Sequence, residues 1–227
     1  MAWAIAWPGA ALAAEIAVPI GPDLAALGWR DMPFKDKAPN IYIGHADGRL
    51  DVLTERSVSL LFHPIRIDLA QTPCLTWRWR VDRTMEPADL TRKGVDDRPL
   101  AVYVAFPYVS AEASMGERLK RFLVEQIEGP DTPGRVLIYM WGGLGARGTR
   151  FLSPHIGEAG PMEILRPGDS ALGVWQDERV DVAADYRRAF GTEPPPTQYV
   201  AVAGDSDDTR SASAATIAGL AFRPSCS

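Results

Sequence analysis

Seven side chains stand out for what they could hold: Arg78, Arg80, Tyr103, Tyr139, Trp141, Trp175 and Arg179. Aromatic rings stack on the C–H faces of sugars, and guanidiniums bond hydroxyls, so rings and arginines sharing one surface suit a glycan. In Leu75-Thr-Trp-Arg-Trp-Arg-Val-Asp82, a period of two puts Leu75, Trp77, Trp79 and Val81 on one side. Thr76, Arg78, Arg80 and Asp82 fall on the other, the alternation of a strand with one buried face. The same reading gives second faces carrying Tyr103, then Leu137, Tyr139 and Trp141, then Trp175, Asp177 and Arg179. If these strands are neighbours, the faces merge into one binding platform. The competing reading covers that face with other chain and makes its rings ordinary core.

Acids form a second group. Asp96 and Asp97 precede a strand, and Asp205, Asp207 and Asp208 follow one. Closely spaced carboxylates on loops are the donor set of calcium, the only cofactor the sequence suggests, although no twelve-residue EF-hand loop is present. The alternative pairs them with Arg78, Arg80 or Arg179, or with turn amides. Asp97 with Asp207, or Glu178, could also be the acid and base of a glycan hydrolase or lyase. That chemistry needs carboxyls roughly 5 to 9.5 Å apart across a cleft.

Other motifs carry less. Gly143-Leu-Gly-Ala-Arg-Gly148 matches a dinucleotide fingerprint in letters only, because Thr149-Arg-Phe-Leu-Ser-Pro154 after it is not helical. Gly204-Asp-Ser-Asp-Asp208 lacks the final glycine of a nucleophile elbow. His45, His63 and His155 have no metal-ligand spacing.

The elements that must position these groups are short strands. Leu27–Phe34 reads as an edge segment broken by proline. Asn40–Gly44 and Arg49–Glu55 flank an Asp-Gly turn, a hairpin signal. Ser57–Phe62, Ile65–Leu69, Leu75–Asp82, Leu100–Phe106, Arg135–Trp141, Pro161–Leu165, Leu172–Arg179, Gln198–Asp205 and Ala214–Phe222 complete the strands. Two short helices are expected, one from Ser114 with a capping-box start, the other over Asp181–Phe190 with Gly191 as its stop. The sum is a mainly β chain, an antiparallel β-sandwich or jelly roll.

The chain has 227 residues, a net charge of -5 and an apolar content of 46%, enough for a real core. A pI near 5.3 excludes the basic footprint of a nucleic-acid surface. No stretch has the roughly 20 apolar residues of a stable membrane span. Residues 1–14 form an apolar run ending Ala11-Leu12-Ala13-Ala14-Glu15, read as a secretory signal cut after Ala13 or an apolar tail, with a single domain over 15–227. A positive n-region is missing, the first basic residue being Arg30. Cys74 and Cys226 could pair in an oxidising compartment or remain a buried thiol and a tail thiol.

Trp77-Arg-Trp-Arg80, Lys93-Gly-Val-Asp-Asp97 running into Val102–Phe106, Tyr139-Met-Trp141, Trp175 with Glu178-Arg179, Asp185-Tyr186 leading to Phe190-Gly191, and Asp205-Ser-Asp-Asp-Thr209 occur in that order. Together they resemble the bacterial envelope family known as domain of unknown function 3047, over about Gly28 to Phe222. The family's last motif usually ends Asp-Asn-Thr, and Asp208 stands here for the asparagine. Val180 stands where an asparagine is common. The resemblance implies an export signal and a sandwich similar to galactose-binding-like modules, and implies no reaction.

The leading expectation is therefore a periplasmic or secreted sandwich that binds a glycan or other envelope ligand without catalysis. A glycan hydrolase or lyase is the alternative, and a structural or assembly role is the third.

Overall fold

The computed structural model of the protein describes residues 14–108 and 133–227. The helix expected from Ser114 lies outside those residues. Thirteen strands are described: β1 (Ile16–Ala17), β2 (Arg30–Pro33), β3 (Ile41–Gly44), β4 (Arg49–Glu55), β5 (Ser59–Pro64), β6 (Cys74–Arg83), β7 (Arg98–Phe106), β8 (Arg135–Trp141), β9 (Arg150–Ser153), β10 (Gly157–Arg166), β11 (Gln176–Asp181), β12 (Tyr199–Asp205) and β13 (Ala212–Arg223). Helix α1 (Val182–Phe190) follows β11 directly.

The strands form two sheets. One runs β11-β6-β13-β4-β3 with β1 added on β13; the other runs β2-β5-β12-β7-β8-β10-β9. Sequence-distant strands are neighbours in both, as the crossing connections of a jelly-roll-type sandwich require. The expected mainly β sandwich is what the chain builds. It is not antiparallel throughout, because β10 runs parallel to β8. After β8 the chain passes beyond the place of β10, lays down β9 at the sheet edge, and returns antiparallel to it.

β6 shows why these residues make this fold. Leu75, Trp77, Trp79 and Val81 are buried, while Thr76, Arg78, Arg80 and Asp82 are partly or fully exposed. The buried set joins Leu100, Val102, Val104, Leu137, Tyr139, Trp141, Val200 and Val202 of the other sheet in one core. Trp77 packs on Tyr139 with centroids 5.9 Å apart, and Trp79 on Trp141 at 5.7 Å. A second apolar cluster, with Tyr103, Ile138, Met140, Met162 and Tyr199, occupies the opposite face of the seven-stranded sheet. Burial on both faces explains the unbroken apolar runs of β7 and β8.

Several boundaries differ from the sequence reading. Ile65–Leu69 is not a strand, β11 begins at Gln176 rather than Leu172, and β9 went unrecognised. The hairpin of β3 and β4 turns at the expected place, with Gly48 at φ 79, a conformation that glycine adopts without strain. Cys74 and Cys226 are joined in a disulfide with Cα atoms 5.2 Å apart, tying the start of β6 to the chain beyond β13.

Candidate functional site

A cleft of about 340 Å³ opens where β8, β9 and β10 meet α1. That volume falls within the range of small-ligand pockets, roughly 300 to 1,000 Å³. Phe151, Leu152, Pro161 and Met162 supply apolar wall, and Arg150, Glu163, Asp185 and Arg188 supply charge. Each charged group is held by a specific element. Glu163 faces Arg150 across the β10–β9 ladder, and Arg150 donates to both its oxygens, at 2.7 and 3.1 Å. Asp185 lies in the first turn of α1, one turn from Arg188, which bonds it. Arg188 also reaches Glu163 at 3.7 Å, so both acids stand against one guanidinium.

Tyr139 connects this cleft to the core. Its ring packs on Trp77 and its hydroxyl donates to Asp185 Oδ2 at 2.7 Å. Burial first, then the charge of Asp185, holds the phenol well above its ordinary value of 10.0. It therefore stays a hydrogen-bond donor.

The acids anticipated from the sequence gather elsewhere, where β7 begins and β12 ends. Asp205 is opposite Arg98 in the β12–β7 register, which brings residues more than a hundred positions apart into contact. Arg98 donates to the Asp96 carbonyl at 2.9 Å, to Asp205 at 3.4 Å and to the Tyr103 hydroxyl at 2.7 Å. Asp97 accepts from the backbone of Asp208 at 3.2 Å and of Thr209 at 2.8 Å, and from the Thr209 hydroxyl. His155, from the β9–β10 turn, donates to Asp96 at 2.8 Å. Lys37 pairs with Asp207. Burial pushes the Asp205 carboxyl up to about 6, with Arg98 opposing and Asp97, Asp96 and Asp208 adding to the rise. Asp208 is pushed up as well, by burial and then by Asp96 and Asp97. One oxygen each of Asp97, Asp205 and Asp207 lies within 4.8 Å of the others, a spacing a hard cation could bridge.

The expected platform of rings and arginines does not form as one surface. Arg78 and Arg80 stand on the outer face of the six-stranded sheet, with guanidiniums 4.8 and 5.2 Å from the Trp175 ring centre. Arg179 is on that sheet too and donates to the Cys226 carbonyl at 3.0 Å. Tyr139 and Trp141 instead lie between the sheets, and Tyr103 lies on the far face of the other sheet. Residues of like parity share a surface only within one sheet, and β8 and β7 are not in the sheet of β6.

Glu178 is also closed. It is buried, with Trp79 Nε1 3.1 Å and Arg147 Nη2 2.8 Å away and Arg166 bonded to it. Arg166 ends β10 and Glu178 sits in β11, so the cluster ties an edge of one sheet to the other.

Sequence reasoning missed Arg150, Phe151, Glu163 and Arg188. Their signal was weak, since β9 has four residues and pairs with a strand only four positions on. The Asp185 and Arg188 pair at helical spacing was the one legible sign.

A family profile described as "Protein of unknown function (DUF3047)" matches residues 27–221. No curated protein matches the chain. Among solved structures, the xyloglucanase domain of NopAA, a type three effector from Sinorhizobium fredii in complex with cellobiose, aligns at 8% identity and TM-score 0.46, covering 87% of this chain and 93% of that one. A family 12 xyloglucanase from Bacillus licheniformis aligns at 9% and 0.45, over 93% and 99%. Endoglucanase 3 of family GH12 from Trichoderma harzianum aligns at 8% and 0.42, over 90% and 92%. At such scores these likenesses carry no functional weight.

Proposed function

From the premise that the chain belongs to the family of unknown function DUF3047, we propose that it is an exported protein that binds a carbohydrate without turning it over, in the cleft between β8, β9, β10 and α1. The observation that carries this reading is the composition of that cleft. Apolar wall from Phe151, Pro161 and Met162 adjoins a fixed lattice of Arg150, Glu163, Arg188, Asp185 and the Tyr139 hydroxyl. Sugars present both kinds of surface, apolar C–H faces and a rim of hydroxyls that donate and accept. Mutually paired charges are held in place before a ligand arrives, which lowers the entropy cost of binding.

Export is supported by the disulfide, since such bonds persist in oxidising compartments. Binding without catalysis in this cleft is supported by the state of Glu163 and Asp185 within it and of Glu178 in β11. Glu178 is enclosed by two arginines and an indole N–H, Glu163 is held by Arg150, and Asp185 by Arg188 and Tyr139. A general acid is ordinarily made by an apolar pocket without such counter-charges.

The test is a glycan array followed by calorimetric titration of any hit. Arg150→Ala should weaken binding by about 10- to 100-fold, as expected for a lost charged hydrogen bond. Phe151→Ala should weaken it by roughly 2- to 10-fold. No binding on the array, or binding unaffected by both changes, would remove the proposal. Release of reducing ends from a glycan, abolished by Glu163→Gln, would replace it with a hydrolytic reading.

A further inference from the structure

We propose that Asp97, Asp205 and Asp207, backed by Asp96 and Asp208, hold a hard divalent cation of the calcium class at the junction of β7 and β12. This site is separate from the carbohydrate cleft and stands or falls without it.

The first argument is geometric. Calcium binds oxygen at about 2.3 to 2.6 Å, so two of its ligands cannot be more than roughly 5.2 Å apart. One oxygen from each of Asp97, Asp205 and Asp207 satisfies this, all lying within 4.8 Å of one another. They come from the loop before β7 and from the end of β12 and the loop after it, which register brings together.

The second argument is an acceptor left without a donor. The Asp96 side chain is only 2% exposed, and its Oδ2 takes the bond from His155. Its Oδ1 is buried and has no hydrogen-bond partner among the described residues. The Asp205 Oδ1 is in the same condition. The charge of Asp96 acts on both Asp205 and Asp208, so its carboxyl stands beside the cluster. A buried carboxylate oxygen without a donor, beside other carboxylates, is costly unless a cation or a proton is shared among them.

The third argument is charge. Five carboxylates gather around Arg98 and Lys37, with His155 the one further cationic candidate in contact among the described residues. Two fixed positive charges leave an excess of negative charge that a divalent ion would offset. The ligands are all oxygen, which favours calcium over zinc or copper. Their mixed exposure suits the flexible shell of calcium better than the rigid octahedron of magnesium.

Such an ion would pin the loop after β12 to the start of β7. Asp97 already grips that loop through Thr209, so Asp97→Asn risks the fold and is a poor probe. Asp207 is the better one, because among the described residues its side chain bonds Lys37 alone. Calcium should be titrated calorimetrically into chelator-treated full-length protein, alongside thermal unfolding with and without the ion. Saturable one-site binding is expected, in the ~10⁻⁴ to 10⁻³ M range of extracellular modules, with a rise in Tm. Asp207→Asn and Asp205→Asn should each weaken binding at least about tenfold, a loss of one charged ligand. Asp82→Asn, on the outer face of the other sheet, should leave it unchanged, and Lys37→Gln should strengthen it. Absence of saturable binding would overturn the site, as would equal binding by Asp207→Asn. Calcium binding that appears only in Lys37→Gln would also overturn it, by showing that the lysine is the native counter-cation.

Discussion

Tyr139 does two jobs with one side chain, filling core against Trp77 and donating its hydroxyl to Asp185 in the cleft. Burial raises its pKa in the folded state, as it does for Tyr42, where burial outweighs the hydrogen bonds to Ser59 and Asn40. The sign follows from linkage. An acid whose folded pKa is raised contributes stability in full below the unfolded value, here near 10.0, and loses it as pH climbs towards the folded value. The protein should therefore begin to lose stability above about pH 10. Absorbance at 295 nm should show both phenols ionising only as circular dichroism reports unfolding. Tyr139→Phe should cost about 1 kcal/mol at neutral pH, the lost hydrogen bond, and should lessen the alkaline decline. A Tyr139 that titrates normally while the fold persists would contradict the buried contact. Legibility differed among residues at this scale. The acids at 96–97 and 205–208 were marked by type and spacing, whereas Arg150 and Glu163 owe their meaning to a cross-strand partner.

Among the elements, α1 and β6 were the most readable, because their signals are local. Asp181 accepts from the Ala184 backbone at 2.8 Å as N-cap, and Gly191 ends the helix at φ 72 with its N–H bonded to Arg187. This short helix carries Asp185 and Arg188 into the cleft, so its caps bear on the proposed site. Asp181→Ala should destabilise the protein by about 1 kcal/mol in urea unfolding. It should also weaken any cleft ligand more than a matched surface change such as Asp169→Ala, as the first turn frays. Equal effects would mean that α1 is held by packing of Val182, Ala183 and Tyr186 alone. β6 was legible because alternation of Trp and Arg needs only the pleat. β8 was not, since every residue from Val136 to Trp141 is buried and parity then says nothing about which face is which.

At the scale of the whole molecule, the disulfide closes a separation of 152 residues, joining β6 to the end of the chain. A cross-link over so long a loop restricts the unfolded chain strongly, with a typical effect of about 2 to 5 kcal/mol. Cys226→Ser, or reduction of the intact protein, should lower the unfolding free energy from urea melts by that amount and steepen the slope, because the unlinked chain exposes more surface when unfolded. A change below about 0.5 kcal/mol would mean that the Cys74 to Cys226 link closes no loop that matters to the unfolded state. The Glu178 cluster complements this covalent tie by joining β10 and β11 across the sheet edges.

The sequence alone settled what β6 buries, where α1 starts and stops, and which loops are acidic. These follow from pleat, caps and residue type, all of them short-range. Only the tertiary structure decided which sheet each strand joins. That choice split the supposed platform between the outer face and the core, brought Asp97 beside Asp207, and made a cleft from β9, β10 and α1. Strand order depends on long-range pairing, and a period of two carries no information about the neighbour.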